Sequence, residues 1–498
     1  MFKRILIANR GEIAVRVIRA ARDLGVESVA VYHEADKHSP YVRFADYACE
    51  LTAETPKAAY LDIEQIIAAA KKLDAEAIHP GYGFLSENAE FSRAVSESGI
   101  KFIGPKPYAI EVMGNKTSAR KLMDAAGVPI VPGTKTGLVD GDDAIRTAAK
   151  IGYPVLLKAA AGGGGKGMRR VNREEDVVAA MEGAQRESRK AFGDDTIYVE
   201  KFIENPKHIE FQMIADEHGH YVHLGERDCS IQRRHQKVIE EAPSIVLDDE
   251  LRAKAGEIAL NAARACDYVN AGTIEFLFDQ KTRSMYFLEM NTRLQVEHPV
   301  TERVTNIDLA KEQIRIAAGL ELSFTQEDIQ WTGHAIECRI YAEDPFNNFL
   351  PDTGTITYLR EPGGRAVRVD SGVEIGSEVS IHFDPMLAKL IVHGKNREEA
   401  MNRMERALMN YRVSGVKTSI PFELAVMRHP VFREGLYDTG FLETVFDFGI
   451  LDQMKKDDEE IVAAIAAYMY RVLKEEKMAE GGFRPNNAKW GNKNYGQR

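Results

Sequence analysis

The chain has 498 residues, which is long enough for about three domains and a large buried core and excludes a single small module. Hydrophobic residues make up 44% and charged residues 28%, a balance typical of a folded globular protein rather than a disordered or fibrous one. The 65 basic and 76 acidic side chains give a net charge of −11, so no overall positive field attracts nucleic acid or an anionic membrane. We therefore expect local basic groups to bind any anionic ligand.

The chain start and the cysteines indicate a cellular compartment. No apolar run approaches the roughly 18 to 20 residues that a membrane-spanning helix needs, and Asn9 and Arg10 interrupt the apolar start. This start predicts a strand rather than a secretion signal. The four cysteines have no Cys-x-x-Cys spacing, which argues against a zinc site or a redox pair. We expect a cytoplasmic protein that binds neither membranes nor nucleic acid.

Strands and helices alternate over the first hundred residues. Residues 5–8 predict a strand, a helical pattern then ends at Gly25, and residues 28–32 predict a second strand. A helix over 62–73 and a strand over 77–79 continue the alternation, which predicts an open parallel sheet. The first turn reads Ala-Asn-Arg-Gly-Glu and lacks Gly-x-Gly-x-x-Gly, which argues against a nicotinamide or flavin site.

The remaining chain divides into three regions of different character. A helix over 116–126 opens the second region, and residues 153–318 mix strands with helices. Short strands and turns dominate 333–407, which predicts a sheet-rich third domain. Residues 457–478 predict one amphipathic helix, and the Gly-, Asn- and Lys/Arg-rich stretch 480–498 predicts a disordered tail or arm.

A glycine run follows a short apolar strand at residues 155–157. Residues 161–168 read Ala-Gly-Gly-Gly-Gly-Lys-Gly-Met, in which bare amides can surround phosphate oxygens while Lys166 supplies charge. The run predicts a mobile phosphate-binding lid. It is not a Walker A loop, because Gly167 stands where Ser or Thr would hold magnesium. A merely flexible hinge is the alternative.

A predicted hairpin, 272–278 and 285–290, carries two acids and an amide. Glu275 lies on its first strand, and Glu289 and Asn291 are two residues apart on the second, so all three can converge on one face. Carboxylate oxygens beside substrate phosphates suit Mg²⁺. A solvated hairpin with ordinary surface acids is the alternative.

Polar and apolar residues alternate beyond this hairpin. Interpreted as extended chain, the pattern predicts one functional face, although an amphipathic edge strand would also alternate. The polar members are Glu289, Asn291, Arg293, Gln295 and Glu297.

Two further segments carry basic side chains. Residues 228–237 form a local basic cluster that suits an anionic substrate, and the absence of interleaved aromatic residues argues against RNA binding. Arg339 alternates with apolar residues and should project from a strand with a polar face. Its guanidinium can hold a planar oxyanion through two hydrogen bonds, although a structural ion pair with a neighbouring Glu is the alternative.

Four separated motifs occur along the chain: Ala-Asn-Arg-Gly-Glu-Ile-Ala at 8–14, His-Pro-Gly-Tyr-Gly-Phe-Leu-Ser-Glu-Asn at 79–88, the glycine run at 162–168, and Glu-Met-Asn-Thr-Arg-Leu-Gln-Val-Glu-His at 289–298. Together they resemble the biotin carboxylase family over about residues 1–447. The resemblance implies an α/β protein with a Rossmann-like N-terminal domain, an ATP-grasp central domain with a mobile lid, and a C-terminal β-rich domain. The implied boundaries are 1–114, 115–330 with the lid at about 131–204, 331–447, and a helical extension and basic tail at 448–498.

The resemblance also implies roles for individual residues. Lys237, Arg293, Glu297 and Arg339 would be catalytic, with Glu297 as general base and Arg339 facing the biotin ureido oxygen. Lys237, Arg293, Gln295 and Val296 would line the bicarbonate pocket. The implied metal ligands are Glu275, Glu289 and Asn291. The implied ATP-binding residues are Lys116, Lys158, Gly163, Gly164, Gly165, Lys166, Gly167, Glu200, Lys201, Ile203, His208, Gln232, His235, Glu275, Leu277 and Glu289.

The implied reaction is carboxylation of biotin on a separate carrier protein, with ATP, Mg²⁺ or Mn²⁺, and bicarbonate, through carboxyphosphate. The biotin-acceptor motif Ala/Val-Met-Lys-Met is absent, so the carrier domain and carboxyltransferase are expected on other chains, and a homodimer is expected from the family. Residues 415–422 and the extension after Phe448 favour the biotin carboxylase component of a two-subunit pyruvate carboxylase, with acetyl-CoA carboxylase as the alternative. Another ATP-grasp ligase and a noncatalytic ATP-binding scaffold are the remaining alternatives.

Overall fold

The computed structural model describes residues 1–134, 136–159, 168–192 and 194–482. The predicted lid residues Gly163, Gly164, Gly165, Lys166 and Gly167 lie outside the described residues, as does most of the predicted tail. The chain divides into two compact units, Met1–Phe446 and a second unit that begins at Asp447. Within the described residues, no helix combines the length and the apolar character needed to cross a membrane.

The first region is a parallel sheet covered by helices, which confirms the prediction. Ile5, Leu6 and Ile7 are completely buried in the strand that pairs with β2 on one side and β4 on the other. The sheet order is β3-β2-β1-β4-β5, and all pairs are parallel. The elements are β1 (Arg4–Ile7), α1 (Gly11–Asp23), β2 (Glu27–Tyr32), α2 (Pro40–Phe44), β3 (Tyr47–Glu50), α3 (Pro56–Ala59), α4 (Ile63–Lys72), β4 (Ala77–His79), α5 (Ala89–Glu97), β5 (Lys101–Phe102) and α6 (Pro107–Gly114).

A small antiparallel sheet follows, with two helices packed on it. The sheet order is β7-β6-β8, so β6, which precedes the glycine run, lies in the middle. Alternate apolar residues of the sheet, such as Val155, Leu157 and Val199, share one core with the helices. The elements are α7 (Lys116–Ala125), α8 (Gly141–Ile151), β6 (Val155–Ala159), β7 (Met168–Val171), α9 (Val177–Phe192) and β8 (Ile197–Lys201).

The first unit also contains an eight-stranded sheet. Its order is β13-β12-β9-β10-β11-β14-β21-β19, so strands from the second and third predicted regions belong to one continuous sheet. Its strands and the neighbouring helices are β9 (Lys207–Ala215), β10 (Tyr221–Arg233), β11 (Gln236–Ala242), α10 (Asp249–Ala265), β12 (Asn270–Asp279), β13 (Ser284–Asn291), α11 (His298–Thr305), α12 (Leu309–Ala317), β14 (His334–Tyr341), β19 (Val367–Ser371) and β21 (Met386–Gly394).

Short strands and helices complete the first unit. They are β15 (Glu343–Asp344), β16 (Leu350–Pro351), β17 (Gly354–Thr355), β18 (Tyr358–Arg360), β20 (Glu378–Val379), α13 (Arg397–Asn410), β22 (Arg412–Ser414), α14 (Ile420–Arg428), α15 (Pro430–Glu434) and α16 (Phe441–Thr444). The second unit contains one long helix, α17 (Gly449–Gly482), and the helix predicted over 457–478 lies within it.

One of the two sequence predictions about polar strands was wrong. The extended chain predicted through Glu297 ends at Asn291, because α11 begins at His298 and Pro299 fits the first turn of a helix, where no N–H bond is needed. Residues 292–297 therefore form a turn. The strand predicted for Arg339 is present as β14, and Arg339 alternates there with the apolar residues Cys338 and Ile340. Every residue of this strand is buried, so its polar face lies inside the protein.

Candidate active site

A buried ammonium group joins carboxylates from several elements. Lys237 on β11 donates from Nζ to Glu275 Oε1 at 2.7 Å, to Glu297 Oε1 at 2.8 Å, and to Glu210 on β9. Burial by itself would lower the pKa of Lys237, but the three carboxylates hold it well above its usual value. Lys237 therefore stays protonated. Sequence analysis missed Glu210, although its alternation with His208 and Gln212 on one strand was a usable signal.

Glu297 lies between two cations at the start of α11. Its Oε2 accepts a hydrogen bond from Arg339 at 2.9 Å, while Oε1 accepts from Lys237. Burial opposes ionisation, yet the charges of Lys237, Arg339 and Arg227 hold the pKa of Glu297 well below its usual value. The carboxylate is therefore ionised and able to accept a proton.

Arg339 is bound by a second carboxylate. Its Nε donates to Glu240 Oε1 at 2.6 Å, so it forms ion pairs with both Glu240 and Glu297. The ion pair considered as an alternative is thus present, and it orients the guanidinium at the site. Burial raises the pKa of Glu240 to about 7 against the opposing charge of Arg339.

Arg293 is more exposed than the other two predicted catalytic cations, Lys237 and Arg339. Its Nε donates to Glu87 Oε2 at 2.9 Å and its second terminal nitrogen donates to Asn291 Oδ1 at 3.0 Å. Glu87 also accepts from the backbone N–H of Thr292 at 3.0 Å. Glu87 lies within the 79–88 motif, but sequence analysis gave it no role.

The completely buried Arg227 positions the side-chain amide of Gln295 in the turn at residues 292–297. Arg227 on β10 donates to Glu210 Oε1 at 2.5 Å and to Gln295 Oε1 at 2.7 Å. Gln295 Nε2 in turn donates to Glu275 at 2.8 Å. Sequence analysis missed Arg227, whose signal was a run of three charged residues, Glu226 to Asp228, in the middle of a strand.

A buried lysine fixes the backbone beside Glu297. Lys389 on β21 donates from Nζ to the carbonyl oxygen of Val296 at 2.8 Å and lies 3.4 Å from Glu12 Oε2. The Tyr82 hydroxyl donates to the other oxygen of Glu12. Burial raises the pKa of Glu12 to about 7, although the Lys389 charge opposes the shift. This chain of contacts joins the first helix, the 79–88 motif and the predicted bicarbonate pocket.

The predicted metal ligands do converge. Glu275 and Glu289 lie directly opposite each other on β12 and β13, and Asn291 donates to Glu275 Oε1 at 2.7 Å. Burial and the Glu275 charge raise the pKa of Glu289. Two adjacent carboxylates of this kind suit Mg²⁺, which would relieve their repulsion. Asn291 Oδ1 already accepts from Arg293, so the two carboxylates carry the fit.

A second group of possible metal ligands shares Glu275 with this pair, and a lysine already balances its negative charge. Ligand atoms of His208, Glu210 and Glu275 lie within 4.8 Å of one another. Lys237 bonds both acids of this group, and His208 Nε2 lies 2.9 Å from Glu275. A protein cation thus takes the position that a further metal ion would occupy.

The predicted ATP-binding residues form two connected groups and several separate positions. Glu200 accepts from Lys158 Nζ at 2.6 Å and also from Arg120, which sequence analysis missed. Gln232 Nε2 lies 3.1 Å from His208 Nδ1, which joins this pair to Glu275.

The remaining residues predicted to bind ATP lie at separate positions. Lys201 Nζ donates to the carbonyl oxygens of Gly152 and Tyr153 at 2.8 and 3.0 Å, so its amine is already bonded. Lys116 begins α7, Ile203 is buried, Leu277 is half-buried, and His235 is exposed in the β10–β11 turn.

Family models match almost the whole first unit. The N-terminal domain of biotin carboxylase matches residues 1–110, and the ATP-binding domain of the carbamoyl-phosphate synthase L chain matches 115–325. The biotin carboxylase C-terminal domain matches 337–444.

Known proteins match at high identity. A pyruvate carboxylase subunit of Methanothermobacter thermautotrophicus is 54% identical over 465 residues, 93% of this chain and 94% of that protein. Biotin carboxylase 2 of Bacillus subtilis is 55% identical over 443 residues, 89% of this chain and 99% of that protein. The 2-oxoglutarate carboxylase small subunit of Hydrogenobacter thermophilus is 49% identical over 470 residues, 94% of this chain and 98% of that protein.

A solved structure that contains bound ligands shares the fold of this chain. The biotin carboxylase domain dimer of Hydrogenobacter thermophilus 2-oxoglutarate carboxylase, in complex with MgADP, ADP and bicarbonate, is 50% identical and has a TM-score of 0.82. The match covers 89% of this chain and 97% of that one. With identities near 50% over nine-tenths of its length, this chain belongs to the biotin carboxylase family of ATP-grasp ligases.

Proposed function

We propose that this chain carboxylates biotin on a separate carrier protein, using ATP and bicarbonate through carboxyphosphate, as the biotin carboxylase component of a pyruvate carboxylase. The observation that supports this most is the convergence of Lys237, Arg293, Glu297 and Arg339 beside the Glu275–Glu289 pair. A base, three cations and a metal-binding acid pair in one place are what activation of bicarbonate requires. The same convergence argues against a noncatalytic scaffold.

Bicarbonate activation would begin with an exchange of partners. A bicarbonate ion held by Arg293 and Lys237 would take over part of the positive charge that now surrounds Glu297. The pKa of Glu297 would then rise toward its usual value, so that the carboxylate could accept the bicarbonate proton. The resulting carbonate dianion is a better nucleophile toward the γ-phosphate of ATP.

Phosphoryl transfer would take place next to the acid pair. Mg²⁺ held by Glu275 and Glu289 would neutralise charge that develops on the phosphates. Lys237 and Arg293 would keep the attacking oxygen in place, because their own partners Glu210 and Glu87 fix both cations. Carboxyphosphate would then release CO₂ and phosphate in the enclosed site.

Biotin carboxylation would use Arg339. The phosphate released can remove the ureido N1′ proton, and the enolate oxygen that forms can accept hydrogen bonds from the Arg339 guanidinium. Glu240 holds this guanidinium at 2.6 Å, so its orientation is set before biotin arrives. The enolate would then attack CO₂.

The carboxyl acceptor is proposed as pyruvate, with acetyl-CoA or another acyl-CoA as the alternative. The matches to the pyruvate and 2-oxoglutarate carboxylase subunits run over 465 and 470 residues, more than the 443 residues shared with biotin carboxylase 2. Both are named as subunits, which supports a carrier and a carboxyltransferase on other chains. A homodimer is proposed because the related solved domain is a dimer.

Phosphate release from MgATP tests the half-reaction. The purified chain is assayed with and without bicarbonate and with and without free biotin. We expect release to require bicarbonate and to increase with biotin. Release that responds to neither would contradict the proposed function and favour another ATP-grasp activity.

Substitution of the proposed base tests its role. Because Glu297→Gln keeps the shape but cannot accept a proton, we expect bicarbonate-dependent phosphate release to fall about a hundredfold or more. The ADP dissociation constant, measured by calorimetry, should change less than about threefold. A large loss of ADP affinity would show instead that Glu297 has a structural role.

Substitution of Arg339 separates the two half-steps. Arg339→Ala should lower biotin carboxylation at least about tenfold more than it lowers the slow bicarbonate-dependent ATP cleavage without biotin, because the enolate forms only in the second step. Both rates are measured on one preparation, with ¹⁴C-bicarbonate and by phosphate release. An equal loss in both would contradict the enolate assignment.

A further inference from the structure

Two buried glutamates lie directly opposite each other next to Arg339. Glu240 on β11 pairs with Glu337 on β14, and both side chains are completely buried. Residues opposite each other in an antiparallel pair share one face, with Cβ atoms about 4.5 to 5.5 Å apart, so two glutamates can bring their carboxyl groups into hydrogen-bond contact. Arg339 lies two residues after Glu337 and therefore on the same face of β14. The proposed reaction gives Glu337 no role.

The two carboxyl groups offer more acceptor oxygens than their surroundings satisfy. Glu240 Oε1 accepts from Arg339 at 2.6 Å, but within the described residues Glu240 Oε2 and both oxygens of Glu337 have no hydrogen-bond partner. Two ionised carboxylates would repel each other here, and neither could donate to the other. One proton on the pair removes the repulsion and supplies a donor, because a protonated carboxyl group carries an O–H bond.

The nearby cations already bind other groups. Lys389 on β21 donates to a backbone carbonyl oxygen at 2.8 Å and lies 3.4 Å from Glu12 Oε2. Arg339 donates to two other carboxylates. Glu337 therefore forms no ion pair within the described part of the chain, and an unpaired buried charge is far less stable than a neutral carboxyl group. Burial accordingly raises the pKa of Glu337 well above its usual value.

The other titratable groups around the pair keep fixed charges. Burial raises the pKa of four of them, which therefore stay neutral: Glu423, Cys229, Cys338 and Tyr341. The charged groups that act on the pair are Lys237, Lys389, Arg339 and Glu297. Glu240 is the member of the pair that Arg339 bonds directly, so Glu240 carries the negative charge and Glu337 the proton.

We propose that protonated Glu337 donates a hydrogen bond to Glu240 and is a positioning residue for biotin carboxylation. The bond favours the ionised form of Glu240, which holds the Arg339 guanidinium. This matters most after Glu297 has taken the bicarbonate proton, because Glu240 is then the remaining anion that orients Arg339. The inference rests on the proposed function, since it takes Arg339 as the donor to the biotin enolate.

Substitution of Glu337 tests the hydrogen bond. Glu337→Leu removes the donor, whereas Glu337→Gln keeps a neutral donor of the same shape. We expect Glu337→Leu to lower biotin carboxylation at least about tenfold more than it lowers bicarbonate-dependent ATP cleavage without biotin. Glu337→Gln should change the ratio of the two rates less than about threefold. Both rates are measured on one folded preparation, with ¹⁴C-bicarbonate and by phosphate release.

Two outcomes of this comparison would overturn the proposal. One is an equal loss of both rates in Glu337→Leu, and the other is a ratio changed as much by Glu337→Gln as by Glu337→Leu. Glu312→Gln is the matched control, because Glu312 is a buried carboxyl group that a serine hydroxyl bonds at 2.8 Å and that has one oxygen without a partner among the described residues. The control should leave the ratio of the two rates unchanged.

A double variant tests whether Glu337 acts through Glu240. In a chain that carries Glu240→Gln, the further change Glu337→Leu should alter the ratio of the two rates less than about twofold, because the residue that it serves is already neutral. An undiminished effect of Glu337→Leu in that background would contradict the contact with Glu240.

Infrared spectroscopy tests the proton without any measurement of activity. The difference spectrum between the native chain and Glu337→Gln should contain the carbonyl stretching band of a protonated carboxylic acid. A difference spectrum with carboxylate bands alone would overturn the proposal. If phosphate release by the native chain responds to neither bicarbonate nor biotin, the proposed function fails and the positioning role fails with it, whereas the infrared band reports the protonation of Glu337 in either case.

Discussion

At the scale of residues, the site is organised by shared partners. Glu297 binds Lys237 and Arg339 at once, and each of these cations binds a further carboxylate, Glu210 or Glu240. No single pair can move without changing its neighbours, so the charges stay in a fixed arrangement before substrate binds. Such preorganisation is the largest contribution that a protein makes to charge-developing reactions.

Lys389 is expected to act as a positioning residue. Lys389→Met removes the bond to the Val296 carbonyl and leaves Glu12 without its cation, so we expect the turnover number to fall about tenfold or more, with the KM for ATP unchanged. Lys389→Arg, which keeps the charge, should recover much of the activity.

The contact between Lys389 and Glu12 is also expected to affect the free energy of unfolding. Breaking a buried ion pair from one side costs about 3 to 5 kcal/mol, whereas removing both charges costs less. Urea unfolding should therefore show Lys389→Met/Glu12→Gln to be more stable than Lys389→Met alone. If folded Lys389→Met turned over at the native rate, the Val296 contact would have no catalytic role.

At the scale of elements, the segment after β4 depends on a neutral histidine. His79 is completely buried, and its Nδ1 accepts from the backbone N–H of Gly81 at 3.0 Å. Burial lowers the pKa of His79 to about 4. The hydrogen bond and the burial both favour the uncharged ring, which holds the start of the 79–88 motif in place.

Acid should weaken this segment in a defined pH range. The pKa of His79 is lower in the folded chain than in the unfolded one, so the stability present above about pH 6.5 is lost as the pH falls toward 4. His79→Asn places an amide oxygen near the Nδ1 position without a titrating group. We expect the stability advantage of the native chain over this variant to shrink by about 2 kcal/mol between pH 7 and pH 5, measured by urea unfolding. A pH-independent difference would contradict the assignment.

At the scale of the whole molecule, one carboxylate joins the three predicted regions. Glu302 on α11 accepts from Arg16 on α1 and from Arg368 on β19, each at 2.7 Å. Burial opposes its ionisation, but the two arginines hold the pKa of Glu302 below its usual value. The first unit is therefore connected by charge as well as by its continuous sheet.

Loss of this junction should destabilise the entire first unit. Arg16→Met removes the guanidinium that bonds both Asp308 and Glu302, and we expect the free energy of unfolding to fall by about 3 to 5 kcal/mol. Arg19→Met, on the exposed side of the same helix, should change stability by less than about 0.5 kcal/mol. The losses from Arg16→Met and Glu302→Gln should not add in the double variant, and strict additivity would argue against a direct interaction.

The hydrophobic pattern of the sequence predicted the helices and strands well. It predicted less about the turn at residues 292–297, which carries several site residues. The helix from Lys116, the hairpin over 272–278 and 285–290 and the parallel sheet were all predicted, because hydrophobic periodicity reports which face of an element is buried. The alternation through Glu297 was misleading as a sign of a strand. In a buried turn, apolar residues that pack in the core can also alternate with polar residues that face the site. Glu87 and Glu210 received no role, since neither lies near Lys237 or Arg293 in sequence.

Patterns along the chain were enough to establish the family, the order of the elements and the acid pair on the hairpin, because these depend on residues that are neighbours in sequence or on one strand. Tertiary packing was needed to establish that Lys237 keeps its charge, that Glu297 is ionised between two cations, and that Lys389 reaches Val296. The physical reason is that a buried charge is set by its neighbours in space. The eight-stranded sheet brings together carboxylates and cations that lie far apart in sequence.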